Sequence, residues 1–311
     1  MMMRFLRFLT TAIALLLFAL PAQAQVADVD IITDVDIITP HITDAHEIEI
    51  PWATWPTLYK VVHLPRWAPF HVAGVEVDMS PTKHVVWMLI AALTICGLLI
   101  FAANATNRQT RTAGHAQGFA GGIEALVLYI RNEVIIPNVG PHGNGFVPFL
   151  LTIFFFILVC NLWGIFPWGS TATGNIAVTA TLALMTFFVV EIAGMRAQGL
   201  GYFGTIFYWN KEVSLLLRVI LFLILSPIEF ISKLTKPFAL MIRLFANMTA
   251  GHIVVLALIG MIFSFGSLAS GVPLLMAVAM NMLELLVAFL QAFIFTMLSS
   301  VFIGQIREAH H

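Results

Sequence analysis

An apolar stretch near the C-terminal end carries charged and polar residues at helical spacing. Within residues 213–265 they include Glu229, Lys233, Lys236, Arg243 and Asn247, separated by 4, 3, 7 and 4 positions. At about 100° per residue they fall within one helix face about 80° wide. Arg243 is permanently charged and costs about 2.5–3.5 kcal/mol at the centre of a membrane helix. Ionisable residues inside membranes usually serve ion or proton transfer, so we expect that chemistry here.

Two residues that can take up and release protons lie nearby. His252 falls about 180° from Arg243, on the opposite face of the same predicted helix. On the next apolar stretch, Glu284 and Gln291 are seven positions apart and share a face. A fixed positive charge accompanied by an imidazole and a carboxyl group favours proton transfer rather than covalent catalysis.

The charged residues also have structural interpretations. Lys233 and Lys236 could reach the cytoplasmic interface while their stems cover apolar surface. Arg243 could form an ion pair with Glu229 or Glu284, although a buried pair is seldom more stable than an apolar replacement. Proton transfer therefore explains Arg243 better than it explains the two lysines.

Other polar residues also have structural interpretations that involve no proton transfer. His252 could be a hydrogen-bonded core histidine, and Glu191 and Glu124 stand near predicted membrane ends. The two cysteines, Cys96 and Cys160, lie inside apolar runs and are typical of small buried hydrophobic residues. Their positions indicate neither a disulfide framework nor a metal-binding CxxC motif.

The elements that position these residues must be membrane helices. The 311 residues are 60% hydrophobic and 10% charged, with a mean hydropathy of +0.95. Soluble domains carry about 25% charged residues, so this composition excludes a soluble globular protein. The apolar stretches are continuous rather than alternating, which predicts helices.

The N-terminal region differs from the rest of the chain. Residues 1–24 resemble a secretory signal, with a basic start, an apolar core and an A-x-A site, so we predict cleavage after Ala24. A retained membrane helix is the alternative, but the apolar core is short for a crossing. Residues 25–82 hold nine acids and a repeated DVDIIT, and we predict an acidic extracytoplasmic segment. The repeat favours either an edge strand or a disordered tether, and three tryptophans within 51–69 suit the membrane interface.

Apolar runs of about twenty residues predict the next membrane spans. We assign crossings to residues 84–103, 146–167 and 176–195, and an amphipathic surface helix to 122–137. Basic residues concentrate in two loops, Arg108 and Arg111 within 104–118, and Arg196 and Lys211 within 196–212. The positive-inside rule places both loops in the cytoplasm.

The last hundred residues predict longer helices. If helical, residues 213–265 extend about 78 Å and residues 274–305 about 48 Å, against a hydrocarbon core of about 30 Å. Residues 266–273 are the clear turn between them. Helices this long must tilt steeply. We therefore predict an all-α integral membrane protein with five to six membrane helices, including an inclined C-terminal two-helix hairpin, and residues 83–311 as one membrane domain.

The motifs of this domain resemble subunit a of the F-type ATP synthase, the stator of its membrane sector. "KPFALMIRLFANMTAGH" resembles the family's signature helix, and "ELLVAFLQAFIFTMLSSVFI" resembles its last helix. "TIFFFILVCNLWGIFP" and "TATGNIAVT" resemble its preceding hairpin. The resemblance runs from about residue 83 to the C-terminus and does not explain residues 25–82.

The resemblance implies a role for several residues. Arg243 is expected to be the essential gate that faces the carboxylates of the rotating c-ring. Asn247 and Gln291 are expected to line this contact. Glu229 is expected to lie on the cytoplasmic half-channel.

His252 and Glu284 match the pair at the outer half-channel. The acid and the imidazole are exchanged between the two helices, as in mitochondrial-type members. Further channel or interface candidates are Lys236, Lys233, Glu191 and Asn161. No family role matches Lys233.

The resemblance also implies partners and location. We expect a multi-pass protein of the bacterial inner membrane with an extracytoplasmic N-terminus and a cytoplasmic C-terminus. Its expected partners are the c-ring, on which the C-terminal hairpin would pack, the subunit b peripheral stalk, the remaining synthase subunits, membrane lipid and protons. We expect no ATP catalytic site, cofactor, metal or nucleic-acid partner. Sodium is the alternative ion, and synthesis and ATP-driven pumping are both open as preferred directions.

Three other classes of membrane protein predict features that are not evident in the sequence. A haem-binding respiratory subunit needs two pairs of membrane histidines, whereas only His252 lies deep in a predicted span. A self-contained channel or transporter predicts inverted internal repeats. An intramembrane hydrolase needs a positioned nucleophile and base, and ATP binding needs a phosphate-binding glycine loop.

Overall fold

The computed structural model describes most of the chain. The described residues are 43–54, 57–72, 75–113, 117–140, 143–166, 169–202, 204, 207, 214–269 and 271–308. The predicted signal at 1–24 and the DVDIIT repeat lie outside the described residues. Those that are described form two compact units, which divide between Val86 and Trp87.

The first unit contains two antiparallel β-hairpins that we do not predict from the sequence. Strand β1 (Glu47–Thr54) pairs with β2 (Thr57–His63), and β3 (Phe70–Val72) pairs with β4 (Val75–Val77). The sequences EIEI and TLYKVV combine alternation with β-branched and aromatic residues, which favours strands. The tryptophan-bearing stretch 51–69 thus contributes to the first hairpin.

Groups from the same unit fix the start of α1 (Lys83–Ala113). The Lys83 amide donates to the Ala45 carbonyl at 2.9 Å, and Asp44 Oδ1 lies 2.7 Å from His84 Nδ1. Asp44 Oδ1 also accepts a bond from the His84 amide at 3.5 Å, and so acts as a cap from outside the helix. Burial alone would raise the pKa of Asp44, but the hydrogen bonds and charge of His84 hold that pKa below its ordinary value.

Helix α1 is longer than the predicted span. It continues to Ala113, so the loop that we predict at 104–118 is wrong for residues 104–113. This part contains neither glycine nor proline, and polar residues can extend a helix beyond the membrane. The predicted surface helix at 122–137 corresponds to α2 (Gly118–Tyr129), a π-helical turn (Ile130–Ile135) and α3 (Ile136–Val139).

The next two helices agree closely with the predicted spans. They are α4 (Val147–Ile165) and α5 (Ile176–Gln198). Helix α5 begins after Asn175, whose side chain accepts a hydrogen bond from the Ala177 amide at 2.9 Å. This is a typical N-terminal cap. Apolar side chains of α4, including Phe154 and Ile157, are fully buried in the core.

The C-terminal hairpin consists of α6 (Leu215–Ala269) and α7 (Gly271–Glu308), which pack against each other. The turn predicted at 266–273 is too long, because 266–269 belong to α6 and α7 begins at Gly271. The 55 and 38 residues extend about 82 and 57 Å. Pro227 and Pro237 lie inside α6 without ending it.

Five helices among the described residues are long and apolar enough to cross a membrane. They are α1, α4, α5, α6 and α7. The prediction of an all-α integral membrane protein is therefore confirmed for the helical region from residue 83 onward. The steep inclination of the hairpin stays a prediction.

Candidate functional site

A cavity of about 320 Å³ lies between α6 and α7. Its polar lining includes Arg243, Asn247, Glu284 and Gln291, and we call it the arginine cavity. Asn247 Nδ2 donates a hydrogen bond to Gln291 Oε1 at 2.9 Å, which joins the two helices. Arg243 is exposed, whereas Glu284 and Gln291 are buried. The cavity therefore combines an accessible permanent cation with a buried carboxyl group.

His252 and Glu284 meet between the same two helices. His252 Nδ1 lies 3.9 Å from Glu284 Oε1, and both side chains are buried. Gly251 lines the arginine cavity, and a Cβ at that position would lie 3.5 Å from Glu284 Oε1. The carboxyl group of Glu284 thus lines the cavity, and the imidazole lies beside it; both are groups that can bind and release protons. His252 is buried while Arg243 is exposed, which agrees with the opposite helix faces that their spacing predicts.

A second cavity, of about 220 Å³, lies where α5, α6 and α7 meet. Its charged lining is Glu191, Glu229, Lys233 and Lys236, and we call it the lysine cavity. When all four are ionised, the two carboxylates balance the two ammonium groups. Lys236 Nζ lies 5.0 Å from the centroid of the Phe302 ring of α7. The predicted polar face of α6 is therefore divided between two cavities.

Tyr202 connects two of these charged groups. It ends the 3₁₀ turn Gly199–Tyr202 that follows α5, and it is only 2% exposed. Lys233 Nζ donates a hydrogen bond to Tyr202 Oη at 2.8 Å, and Tyr202 Oη donates one to Glu191 Oε2. We do not predict Tyr202 from the sequence, because a single loop tyrosine has neither a charge nor a spacing that would distinguish it.

The two cavities occupy successive stretches of α6. Along this helix, the lysine cavity is lined from Glu229 to Leu240 and the arginine cavity from Arg243 to Val254. Glu229 and His252 are about 34 Å apart along the axis at 1.5 Å per residue. Along α6, Arg243 is therefore the residue of the arginine cavity that lies nearest to the lysine cavity.

Asn161 lies apart from both cavities as the described residues line them. It is buried in α4, where Nδ2 donates to the Ala288 carbonyl at 3.3 Å and Oδ1 accepts from Thr173 Oγ1 at 2.6 Å. These bonds tie α4 to α7 and to the turn Ala172–Gly174. Its position favours a structural contact between helices.

Metal and thiol groups offer no comparable constellation within the described ranges. No group of three or more His, Cys, Asp or Glu residues there could hold a metal ion. Cys96 and Cys160 are free thiols, and Cys160 is buried. The charged and polar side chains that line the two cavities are therefore the candidate functional groups.

Comparisons with known proteins identify related chains. The family model "ATP synthase A chain" matches residues 85–304, which include the whole arginine cavity. "ATP synthase subunit a" of Chloroherpeton thalassium is 44% identical over 265 residues, covering 85% of this chain and 74% of that protein. "ATP synthase subunit a 2" of Chlorobium luteolum is 42% identical over 309 residues, covering 94% and 83%. "ATP synthase subunit a" of Myxococcus xanthus is 46% identical over 237 residues, covering 75% of each chain.

Proposed function

Because the chain belongs to the F-type ATP synthase subunit a family, we propose that it forms the proton path through the membrane sector of that complex. In this proposal, two offset half-channels pass protons to and from the carboxylates of a rotating c-ring. Proton flow down the gradient turns the ring, and ATP is synthesised elsewhere in the complex. The chain contributes as a subunit and has no ATP catalytic site of its own.

The observation that carries this proposal is the arrangement of the two cavities. They follow one another along α6, with Arg243 at the junction. A continuous pore would let protons cross without turning a rotor. Two separate cavities with a permanent cation between them instead force a proton to travel part of the way on a partner.

Arg243 is the proposed gate. Its guanidinium cannot lose its proton, so it attracts a passing carboxylate at every pH of interest. In surroundings of low dielectric constant this attraction favours the ionised form of the carboxyl group. A c-ring carboxylate must therefore release its proton before it passes Arg243. The same positive charge opposes a direct proton leak between the half-channels.

We assign the outer half-channel to the arginine cavity. His252 and Glu284 are its proton-exchanging pair, and their 3.9 Å separation supports treating them as one unit. The Asn247–Gln291 hydrogen bond orients the two amides beside Arg243.

We assign the cytoplasmic half-channel to the lysine cavity. Glu229 is the proposed carboxylate of this path, since it is exposed and lines the cavity. Lys236 and Lys233 supply positive charge on the same wall, and Glu191 faces them from α5.

The proposed topology follows from the charge pattern and the number of spans. Five crossings put the N-terminal and C-terminal sides of the helical domain on opposite faces of the membrane. Arg108 and Arg111 near the end of α1, and Arg196 at the end of α5 followed in the sequence by Lys211, favour a cytoplasmic C-terminus and an extracytoplasmic N-terminus. We propose that residues 1–24 are a cleaved signal, that 25–82 lie outside the cytoplasm and that 83–311 form the domain that meets the c-ring and the peripheral stalk in a bacterial inner membrane.

The test is ATP-driven acidification of inverted membrane vesicles that carry the complete synthase. Arg243→Ala is expected to reduce acidification to background while the complex stays assembled. Arg218→Ala is the matched control, because it removes a positive charge from α6 among residues that line neither cavity. Normal pumping by Arg243→Ala would overturn the proposal.

A further inference from the structure

The hydrogen bonds between Lys233, Tyr202 and Glu191 run in one direction. The ammonium of Lys233 donates to Tyr202 Oη, and the phenol donates onward to Glu191 Oε2. A protonated lysine can only donate, and an ionised carboxylate can only accept. The chain of bonds is therefore satisfied in full when Lys233 is charged and Glu191 is ionised.

Packing holds Tyr202 in the position that this chain requires. A Cβ on Gly194 of α5 would lie 2.6 Å from Tyr202 Cε2 and 2.9 Å from Ile306 Cγ1. Only glycine leaves room for the tyrosine ring between α5 and α7. Lys233 Nζ also lies 4.1 Å from the centroid of that ring, within cation–π distance. The connection between Lys233 and Glu191 is thus built into the fold.

Besides Glu191 of α5, other groups face Lys233 from α6 and α7. Helix α6 supplies Glu229 and Lys236, and α7 supplies the uncharged Gln305. Arg307 of α7 donates instead to the Val139 carbonyl at 3.1 Å. Glu229 lines the same cavity and makes no hydrogen bond or salt bridge among the described residues.

We propose that Lys233 is a positioning residue for proton exchange through the lysine cavity. It holds Glu191 through Tyr202 as a fixed counter-charge, and its positive field leaves Glu229 as the carboxylate that binds and releases protons. This inference rests on the proposed function. Lys233 and Glu229 lie one helical turn apart on α6 and line the same cavity, and a nearby cation favours the ionised form of a carboxyl group.

The test is passive proton conduction through vesicles stripped of the catalytic sector, measured against pH on the cytoplasmic side. Lys233→Met is expected to shift the profile by about one unit toward higher pH, because the cavity then loses a cation that favours the ionised form of carboxyl groups. Lys233→Arg, which keeps the charge, is expected to preserve the wild-type profile. Thr235→Val is the matched control, since Thr235 is an exposed neighbour that bonds only locally, to the Ser232 carbonyl at 2.9 Å.

Tyr202→Phe provides an independent arm. It removes the hydroxyl group alone and is expected to shift the profile in the same direction as Lys233→Met, by a smaller amount. If Lys233→Met does not assemble, the pH profile of Tyr202→Phe tests the inference in its place.

Two results would overturn the inference. One is a wild-type profile in Lys233→Met or, if that variant fails to assemble, in Tyr202→Phe. The other is an equal shift in Lys233→Met and Lys233→Arg, which would show that charge is not the cause. If Arg243→Ala abolishes pumping while these profiles stay unchanged, only this inference fails. If Arg243→Ala still pumps, the proposed function fails, and the inference that rests on it fails as well.

Discussion

The lysine cavity and the arginine cavity handle charge in different ways. In the lysine cavity, two carboxylates face two ammonium groups, and Tyr202 links one of each sign. In the arginine cavity, Arg243 makes no hydrogen bond or salt bridge with the described residues, and Glu284 lies against His252 instead. The first cavity is balanced within this chain. The second presents an exposed cation, which supports our proposal that its counter-charge comes from a partner.

Helices α4 and α6 also differ in how much of each is buried within the chain. In an apolar 18-residue segment of each helix, 56% of the α4 residues are buried within the chain, compared with 6% of the α6 residues. Helix α4 therefore acts as a scaffold, tied to α7 through Asn161. Helix α6 leaves most of its surface for lipid or for other subunits. A polar face on such an exposed helix is suited to contact with a moving partner.

The largest effect is expected at the His252–Glu284 contact. Glu284→Gln and His252→Ala should each reduce ATP-driven pumping to near background, because each removes half of the proposed exchanging pair. The double exchange His252→Glu with Glu284→His should retain more activity than either exchange alone. Glu124→Gln, an acid outside both cavity linings, is the control. Equal losses of pumping in the single and double exchanges would contradict the proposal that the two residues act as one pair.

An intermediate effect is expected at Gly194. The Cβ of Gly194→Ala would collide with the Tyr202 ring, and overpacking of this kind costs about 1–3 kcal/mol. We expect a shifted pH profile of passive conduction, as in Lys233→Met, because the ring carries the hydroxyl group that Lys233 bonds. Gly97→Ala is the matched control, since no atom lies within 4 Å of its added Cβ. An unchanged profile in Gly194→Ala would show that the tyrosine position is not critical.

The smallest effect on transport is expected at Asp44, which lies in the first unit. Asp44→Ala should leave pumping unchanged but accelerate hydrogen exchange at the first amides of α1, since replacing a capping side chain by alanine costs about 0.5–2 kcal/mol. The pKa of Asp44 is lowered in the folded chain, so its contribution is complete above its ordinary pKa. That contribution is lost as the pH falls through the lower, folded-state value. Equal exchange rates in the variant and the wild type at neutral pH would contradict this assignment.

The polar face of α6 could be predicted from the sequence because helical periodicity is local. The same rule placed His252 away from Arg243, and the long apolar runs predicted the spans. The contact between Asn247 and Gln291 could not be predicted from periodicity, because it depends on how α6 and α7 are aligned along their axes. Tyr202 could not be predicted, because its importance comes from a turn that returns it to Lys233.

The corrections also have local causes. Helix α1 continues through a polar stretch because polarity ends a membrane span without ending a helix. The α6–α7 turn is shorter than the small residues at 266–273 suggest, since serine, leucine and alanine are all compatible with a helix. The β-hairpins at 47–63 and 70–77 escaped prediction because acids and tryptophans dominate the composition there and mask short alternating patterns.

The most direct test of the two-cavity account is the sidedness of access. Gly251→Cys and Gln305→Cys would be placed separately in a chain whose Cys96 and Cys160 are replaced by alanine. Gln305 is exposed at the lysine cavity, and a Cβ at Gly251 meets Glu284 at an ordinary contact distance of 3.5 Å. A small membrane-impermeant thiol reagent should label Gln305→Cys only from the cytoplasmic side and Gly251→Cys only from the opposite side. Labelling of both cysteines from the same side would contradict two separate half-channels.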